Sequence, residues 1–234
     1  MGNYLKVPTL LLGSVAFSIY LKQSNAIITG KVIMSTVAIV YFSGTGHTSL
    51  MAQAIAEGAG KLVGTEVELL QITGEQIVNG RWQDATIMEK LNRADAIVFG
   101  TPTYMGGVAA QFKAFLDAAS QVWFTQQWKD KIAGGFTHSS SLSGDKQGTL
   151  LYLAINAAQH GMIWVGAGDF PSHYLGKTDG VNRLGSFLGI MGQSPMDMSG
   201  SEATLDPGDR LTSENYGQRI GTSVKRWSNQ LVAI

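Results

Sequence analysis

Hydrophobic positions along this chain fall into short continuous runs separated by stretches with helical spacing. Thr36 to Phe42 (TVAIVYF) is a β-branched and aromatic run without alternation, the pattern of a strand covered on both faces. It stops at Ser43-Gly44-Thr45-Gly46-His47-Thr48, and Leu50, Met51, Ala54, Ile55 and Leu62 then form one helical stripe. Glu66 to Ile72 reads as a second strand and Asp95 to Gly100 as a third, which ends in Thr101-Pro102-Thr103-Tyr104-Met105-Gly106-Gly107. Val108, Phe112, Phe115, Leu116 and Ala119 carry the next helix. Lys131 to Thr137 makes a fourth strand, stopped by a Ser-rich loop from His138 to Gly144. Leu150, Leu151, Ala154, Ala157 and Ala158 mark another helix, Met162 to Gly166 a fifth strand, and Ile220, Val224, Trp227 and Leu231 the last helix.

Strands alternating with helices in this way predict the α/β class, a parallel sheet with helices on both faces and right-handed crossovers. Ligands in such sheets bind beyond the carboxyl ends of the strands, where strand order reverses. Every unusual loop of this chain follows such a carboxyl end. One segment breaks the pattern: 167–208 is Gly-rich with few periodic stretches, and a loop that long is functional or disordered. Its origin at a strand end places it near the ligand or at a subunit contact.

The 234 residues suffice for one substantial domain with an appendage, and the 44% hydrophobic content supports a buried core. Lys plus Arg and Asp plus Glu number 17 each, so the electrostatic footprint of a nucleic-acid binder is missing. Cys is absent, which excludes disulfide scaffolds, thiolate metal sites and cysteine nucleophiles. Residues 1–33 read separately from 34–234. Lys6, an apolar run from Val7 to Leu21, Lys22 and Ser24-Asn25-Ala26 have the outline of a secretory signal, but the positive start is weak and Met34 directly precedes a buried strand. We therefore read 1–33 as an extension, a disordered arm or a stretch outside the natural protein, and 34–234 as the domain. The apolar run is shorter than the ~20 residues of a spanning helix, so no stable membrane insertion and a cytoplasmic location are expected.

The loop after the first strand combines the hydroxyls of Ser43, Thr45 and Thr48 with two glycines and the amides that open a helix. Those donors and the helix dipole suit a terminal phosphate. A P-loop would need a Lys, and none lies between Ala38 and Glu57; a dinucleotide fingerprint would need Gly where Ser49 stands. Glu66 and Glu68 nevertheless sit near the distance expected of a ribose-binding acid. His47, His138 and His160 fall in or beside the loops, but without a carboxylate pair and ligand spacing they predict no metal.

Ser43-Gly44-Thr45-Gly46-His47-Thr48 after a first strand resembles the phosphate loop of the flavodoxin-like superfamily. Gly100 to Gly107, followed by Phe112-Lys113-Ala114-Phe115-Leu116-Asp117, is similar to the second flavin loop of the WrbA-type NAD(P)H:quinone oxidoreductases and related NADPH-dependent FMN reductases. Gln159-His160-Gly161-Met162 matches a further motif, and the similarity spans Met34 to Ile234. It implies a flavodoxin-like, doubly wound five-stranded sheet of order 2-1-3-4-5. It implies FMN held at its phosphate by Ser43, Gly44, Thr45, Gly46, His47 and Thr48. Pro102, Thr103, Tyr104, Met105 and Gly106 would line the ring, and His138, Ser139, Ser140, Ser141, Leu142, Ser143 and Gly144 would border ring and ribityl chain. Trp123 would lie beside a stacked substrate and His160 at the flavin edge as the catalytic histidine. The chain departs from the family in its Ser-rich third loop and in having Gln159 where many members carry a first His.

The resemblance implies hydride transfer from NAD(P)H to a quinone-like acceptor by ping-pong stacking on one flavin face, in a homodimer or homotetramer. The flavin carries the chemistry and the protein positions it. A flavodoxin-type electron carrier is the alternative; such carriers are shorter and strongly acidic, unlike this neutral chain. A dinucleotide-only dehydrogenase would bind no flavin.

Overall fold

The computed structural model describes residues 34–196 and 199–231, with side chains as far as residue 228; the extension read at residues 1–33 lies outside the described residues. From Met34 the order is β1 (Ser35–Phe42), α1 (His47–Gly60), β2 (Thr65–Ile72), α2 (Ala85–Arg93), β3 (Ala96–Tyr104), α3 (Ala110–Ala118), β4 (Ile132–Ser139), α4 (Lys146–Gln159), β5 (Ile163–Trp164), β6 (Ile190–Gln193) and α5 (Pro207–Leu231). The main ladders are parallel, and the sheet runs β2-β1-β3-β4 with the fifth position beyond β4. This is the doubly wound 2-1-3-4-5 arrangement, with order reversing between β1 and β3.

Residues alternate along β1 between two cores. Ala38, Val40 and Phe42 pack with Ile87, Leu91, Phe112, Phe115 and Leu153 from α2, α3 and α4. Val37, Ile39 and Tyr41 pack with Met51, Ile55, Tyr216, Ile220 and Val224 from α1 and α5. A strand apolar at every position is what burial on both faces requires.

The fifth strand departs from expectation. The run Met162 to Gly166 does not form one continuous strand: only Ile163 and Trp164 join the ladder, against Ile132 and Ala133. Pairing with β4 resumes at Ile190, opposite Phe136. Residues 165–189 are thus an excursion interrupting one sheet position, and 167–208 is not a single loop, because it contains β6. The excursion's ends are tied together where Ala167 N–H donates to the Phe187 carbonyl (3.0 Å) and Trp164 Nε1–H to that of Leu188 (2.7 Å). A Cβ on Gly189 would come within 2.5 Å of the Gly135 carbonyl oxygen, so re-entry beside β4 requires glycine. Buried Asn182 orders the interior, accepting from Ser186 N–H (2.9 Å) and donating to the Asp169 carbonyl (2.8 Å).

Helix α2 and the short hairpin of residues 77–82 were not expected. The helix has a local signal: the Asp84 carboxylate accepts from Ile87 N–H (2.9 Å) as an N-cap, and Ile87 and Leu91 bury one stripe four residues apart. Among the described residues, no helix is long and apolar enough to cross a membrane.

Candidate functional site

The carboxyl ends of β1, β3 and β4 bring three loops together. In the first, the chain turns sharply from Phe42 into α1. Ser43 Oγ accepts from the amides of Gly46 (3.1 Å) and Ser49 (3.2 Å), so this side chain shapes the turn. Gly46 has φ +91°, a backbone region that favours glycine. Thr45 and Gly44 are exposed, while Thr48 is buried. Thr45 Oγ1 lies 3.1 Å from His47 Nδ1. The amides that open α1 have no earlier carbonyl to bond, and with the dipole they make the loop an anion site. The connection leading into α5 also reaches this loop, since a Cβ on Gly46 would lie 2.8 Å from that of Ala203.

The second loop is tighter than a strand followed by a loop. β3 runs on to Tyr104 and reverses at once, pairing Thr103 with Val108 and Tyr104 with Gly107. Both central residues have positive φ, Met105 at +48° and Gly106 at +83°, as a two-residue hairpin demands. Tyr104 leans over the first loop, and a Cβ on Gly44 would meet its hydroxyl at 2.3 Å. Beyond the hairpin lies a cavity of about 620 Å³ walled by Tyr104, Val108, Lys113 and Tyr152. Burial raises the Tyr104 pKa, so the phenol keeps its proton. Met105 is fully exposed and holds a left-handed conformation that costs an L-residue about 1 kcal/mol or more. Relief of that strain outweighs glycine's own entropic cost, so Met105→Gly should stabilise the protein by about 0.5 kcal/mol, read as a rise of about 1–2 °C in Tm.

Two expected ring contacts in this loop change character. Pro102 is a buried strand residue registered against His138. Thr103 Oγ1 is bonded to Thr137 Oγ1 and Thr149 Oγ1, both at 2.8 Å. That hydroxyl cluster joins β3, β4 and α4, so the Thr103 side chain belongs to the interior and only its backbone faces the loop.

The third loop begins at His138, which stacks on His47 with ring centroids 4.6 Å apart and planes at 10°. Ser194 Oγ donates to the Thr204 carbonyl (3.0 Å) and lies 3.2 Å from His138 Nε2. With its one proton so used, the serine accepts from Nε2–H, which fixes the neutral tautomer. Burial above all, then His47, Lys146 and Arg183, push the His138 pKa down to about 3. Lys146, the first residue of α4, has no exposed surface. Its ammonium donates to Ser139 Oγ (2.9 Å) and to the carbonyls of Ser141 (2.6 Å) and Leu142 (3.0 Å). Gln193 Nε2 donates to the Ser140 carbonyl (3.0 Å). The sequence reading missed Lys146, although a cation at a helix start opposes the dipole and so had to be there for another reason.

Two residues are not brought to these loops within one chain. His160 follows the last residue of α4, roughly 20 Å along the helix from the third loop. It is buried against Trp128, whose indole donates to Asn92 near the end of α2, at the amino edge of the sheet. Within one chain it therefore stands away from the three loops. Trp123 lies in the helical turn Ser120–Phe124, separated from the hairpin by the whole of α3, partly exposed and packed edge-on against Phe124. Among the described residues no cluster of three or more His, Asp or Glu could hold a metal.

Residues 37–175 match the model of the NADPH-dependent FMN reductase family. The chain is 42% identical over 189 residues to the flavodoxin FldP of Pseudomonas aeruginosa, covering 80% of this chain and 95% of that protein. It is 37% identical over 185 residues to a quinone oxidoreductase from Triphysaria versicolor, covering 74% and 86%. Among solved structures, a WrbA-like flavodoxin from Agrobacterium tumefaciens superposes with a TM-score of 0.62 at 40% identity, covering 82% of this chain and 98% of that one.

Proposed function

Because the chain belongs to the NADPH-dependent FMN reductase family of flavodoxin-like proteins, we propose that it is an FMN-dependent oxidoreductase that takes hydride from NAD(P)H and passes two electrons to a quinone. The observation that carries this reading is the first loop: a glycine-lined turn with exposed Thr45 and the opening amides of α1, at the sheet's switch point. The residues fit the phosphate end of FMN, since Gly44 and Gly46 put no side chain into the cradle, and His138 behind it is neutral.

FMN supplies the hydride-accepting and electron-donating ring when bound; the chain's own residues bind and orient. Thr45, His47 and Thr48 would hold the phosphate through hydroxyl and backbone donors, with Gly46 leaving it room and Ser43 keeping the turn in shape. Tyr104, Met105 and Gly106, with the backbone of Pro102 and Thr103, would border one edge of the ring. Ser139 to Gly144 would border another, offering amides to the negative charge that builds up there on reduction. Flat substrates would enter in turn over the exposed side of the hairpin.

The likeness to a protein named as a flavodoxin supports a second reading, an electron carrier without NAD(P)H turnover. Zero net charge argues against it, since carriers dock through charge complementarity. Purified protein mixed with NADH or NADPH and benzoquinone is expected to turn over many times with parallel double-reciprocal lines. Protein that accepts electrons only from a separate reductase would establish the carrier instead.

A further inference from the structure

The third loop displays its backbone in one sense, and a single buried cation accounts for most of it. The carbonyls of Ser141 and Leu142 point inward to the Lys146 ammonium, and that of Ser140 accepts from Gln193 at the surface. A trans peptide places each carbonyl opposite the amide of the next residue. The amides of Leu142 and Ser143 are therefore turned away from the interior. Exposed Leu142 agrees with that orientation. Successive amides facing one way make an anion-binding backbone surface.

We propose that Lys146 is a positioning residue for the flavin ring, one whose ammonium sets the third loop so that its amides face the cofactor cleft. This rests on the FMN reading above, and it concerns a side chain that would itself touch no cofactor. A buried cation with a full complement of three acceptors is a fastener, because an ammonium has three N–H groups and no acceptor capacity. Arg183 and Asp209 face Lys146 as an ion pair (2.7 Å) from the fifth-strand excursion and from α5. His138 faces it from β4, with His47 stacked behind.

Burial foremost, with Arg183 in the same sense and Asp209 opposing, lowers the Lys146 pKa to about 8. Above that pH the neutral amine has two N–H groups for three acceptors, so the loop loses one tie. His138 stays neutral through this range, and Arg183, its own pKa raised, stays charged with Asp209 as partner. The sign separates loop order from overall stability. A lysine titrating lower when folded makes the fold more stable as pH rises from 8 towards 10, whereas ring binding should weaken.

The test titrates FMN and riboflavin, followed by flavin fluorescence, into the full chain and the Lys146→Met variant at pH 7 and pH 9. Melting curves at both pH values accompany each titration. The expected result is that Lys146→Met weakens both ligands by the same factor, roughly tenfold to a hundredfold for a set of charge-assisted bonds. Wild-type affinity for riboflavin should also fall from pH 7 to pH 9, while the variant's does not change. Unaltered riboflavin affinity in a folded Lys146→Met protein would overturn the proposal. Should that variant fail to fold, a wild-type affinity that is flat between pH 7 and pH 9 would overturn it equally. Wild-type protein that binds neither flavin would instead remove the FMN reading beneath it.

Discussion

Glutamate in place of Thr45 is expected to leave the purified protein colourless. Thr45 is exposed at the tip of the first loop, two residues before α1, with its hydroxyl 3.1 Å from His47 Nδ1. A carboxylate there would face a phosphate carrying up to two negative charges. One pair of like charges 4 Å apart costs about 4 kcal/mol at an effective dielectric constant of 20. Solvent at an exposed tip screens part of this repulsion, and the second phosphate charge adds to what remains. Affinity for FMN should fall roughly a hundredfold or more, measured by fluorescence titration, with Tm unchanged because the Thr45 side chain itself is exposed. Riboflavin has no phosphate and should bind variant and wild type alike. A Thr45→Glu protein that stays yellow through gel filtration would show that the phosphate lies elsewhere.

That prediction could be written from the sequence because an anion loop is a local object: hydroxyls, glycines and a helix start within six consecutive residues. The same holds for the class and strand order, since β1 from Val37 onward and the first five residues of β3 and of β4 are apolar or glycine and each strand is followed by a distinctive loop. What was hidden is the use of side chains across long separations. Thr103 looked like a ring contact, yet its hydroxyl is committed to Thr137 and Thr149, 34 and 46 residues away. The buried ammonium of Lys146 depends on where the third loop folds back, which no periodicity encodes. The split fifth strand was invisible because Ile190 to Gln193 is a short run containing a glycine, and only β4 as a neighbour makes it a strand. His160 is a different case, because its place within one chain can be read by counting. Its motif begins one full helix after the third loop, so counting residues along Lys146 to Gln159 already places it at the opposite edge of the sheet.

Alanine in place of Gly217 is expected to destabilise the protein even though alanine is the better helix former. α1 and α5 cross on one face of the sheet with their backbones almost touching. A Cβ on Gly217 would lie 2.0 Å from the Ile55 carbonyl oxygen and 2.8 Å from the Ala59 nitrogen, and one on Gly58 would lie 1.9 Å from the Glu214 carbonyl oxygen. Both obstacles are main chain, so no side chain can swing aside and the helices must separate. Intrinsic propensity favours alanine by about 1 kcal/mol. Overpacking at a rigid contact costs about 1–3 kcal/mol, occasionally more, and with backbone as the obstacle the upper part of that range applies. The net loss of about 2 kcal/mol corresponds to a Tm lower by about 4–8 °C for a chain of this size. Gly60→Ala is the control: it ends the same helix α1 with nothing within 4 Å of its Cβ position, so there propensity acts alone and Tm should hold or rise. Because His47 begins α1, the shift forced by Gly217→Ala should also reach the phosphate loop and weaken FMN binding more than riboflavin binding. Equal melting temperatures for the two alanine variants would mean that α1 and α5 do not approach as closely as described, and the second effect would vanish with the first.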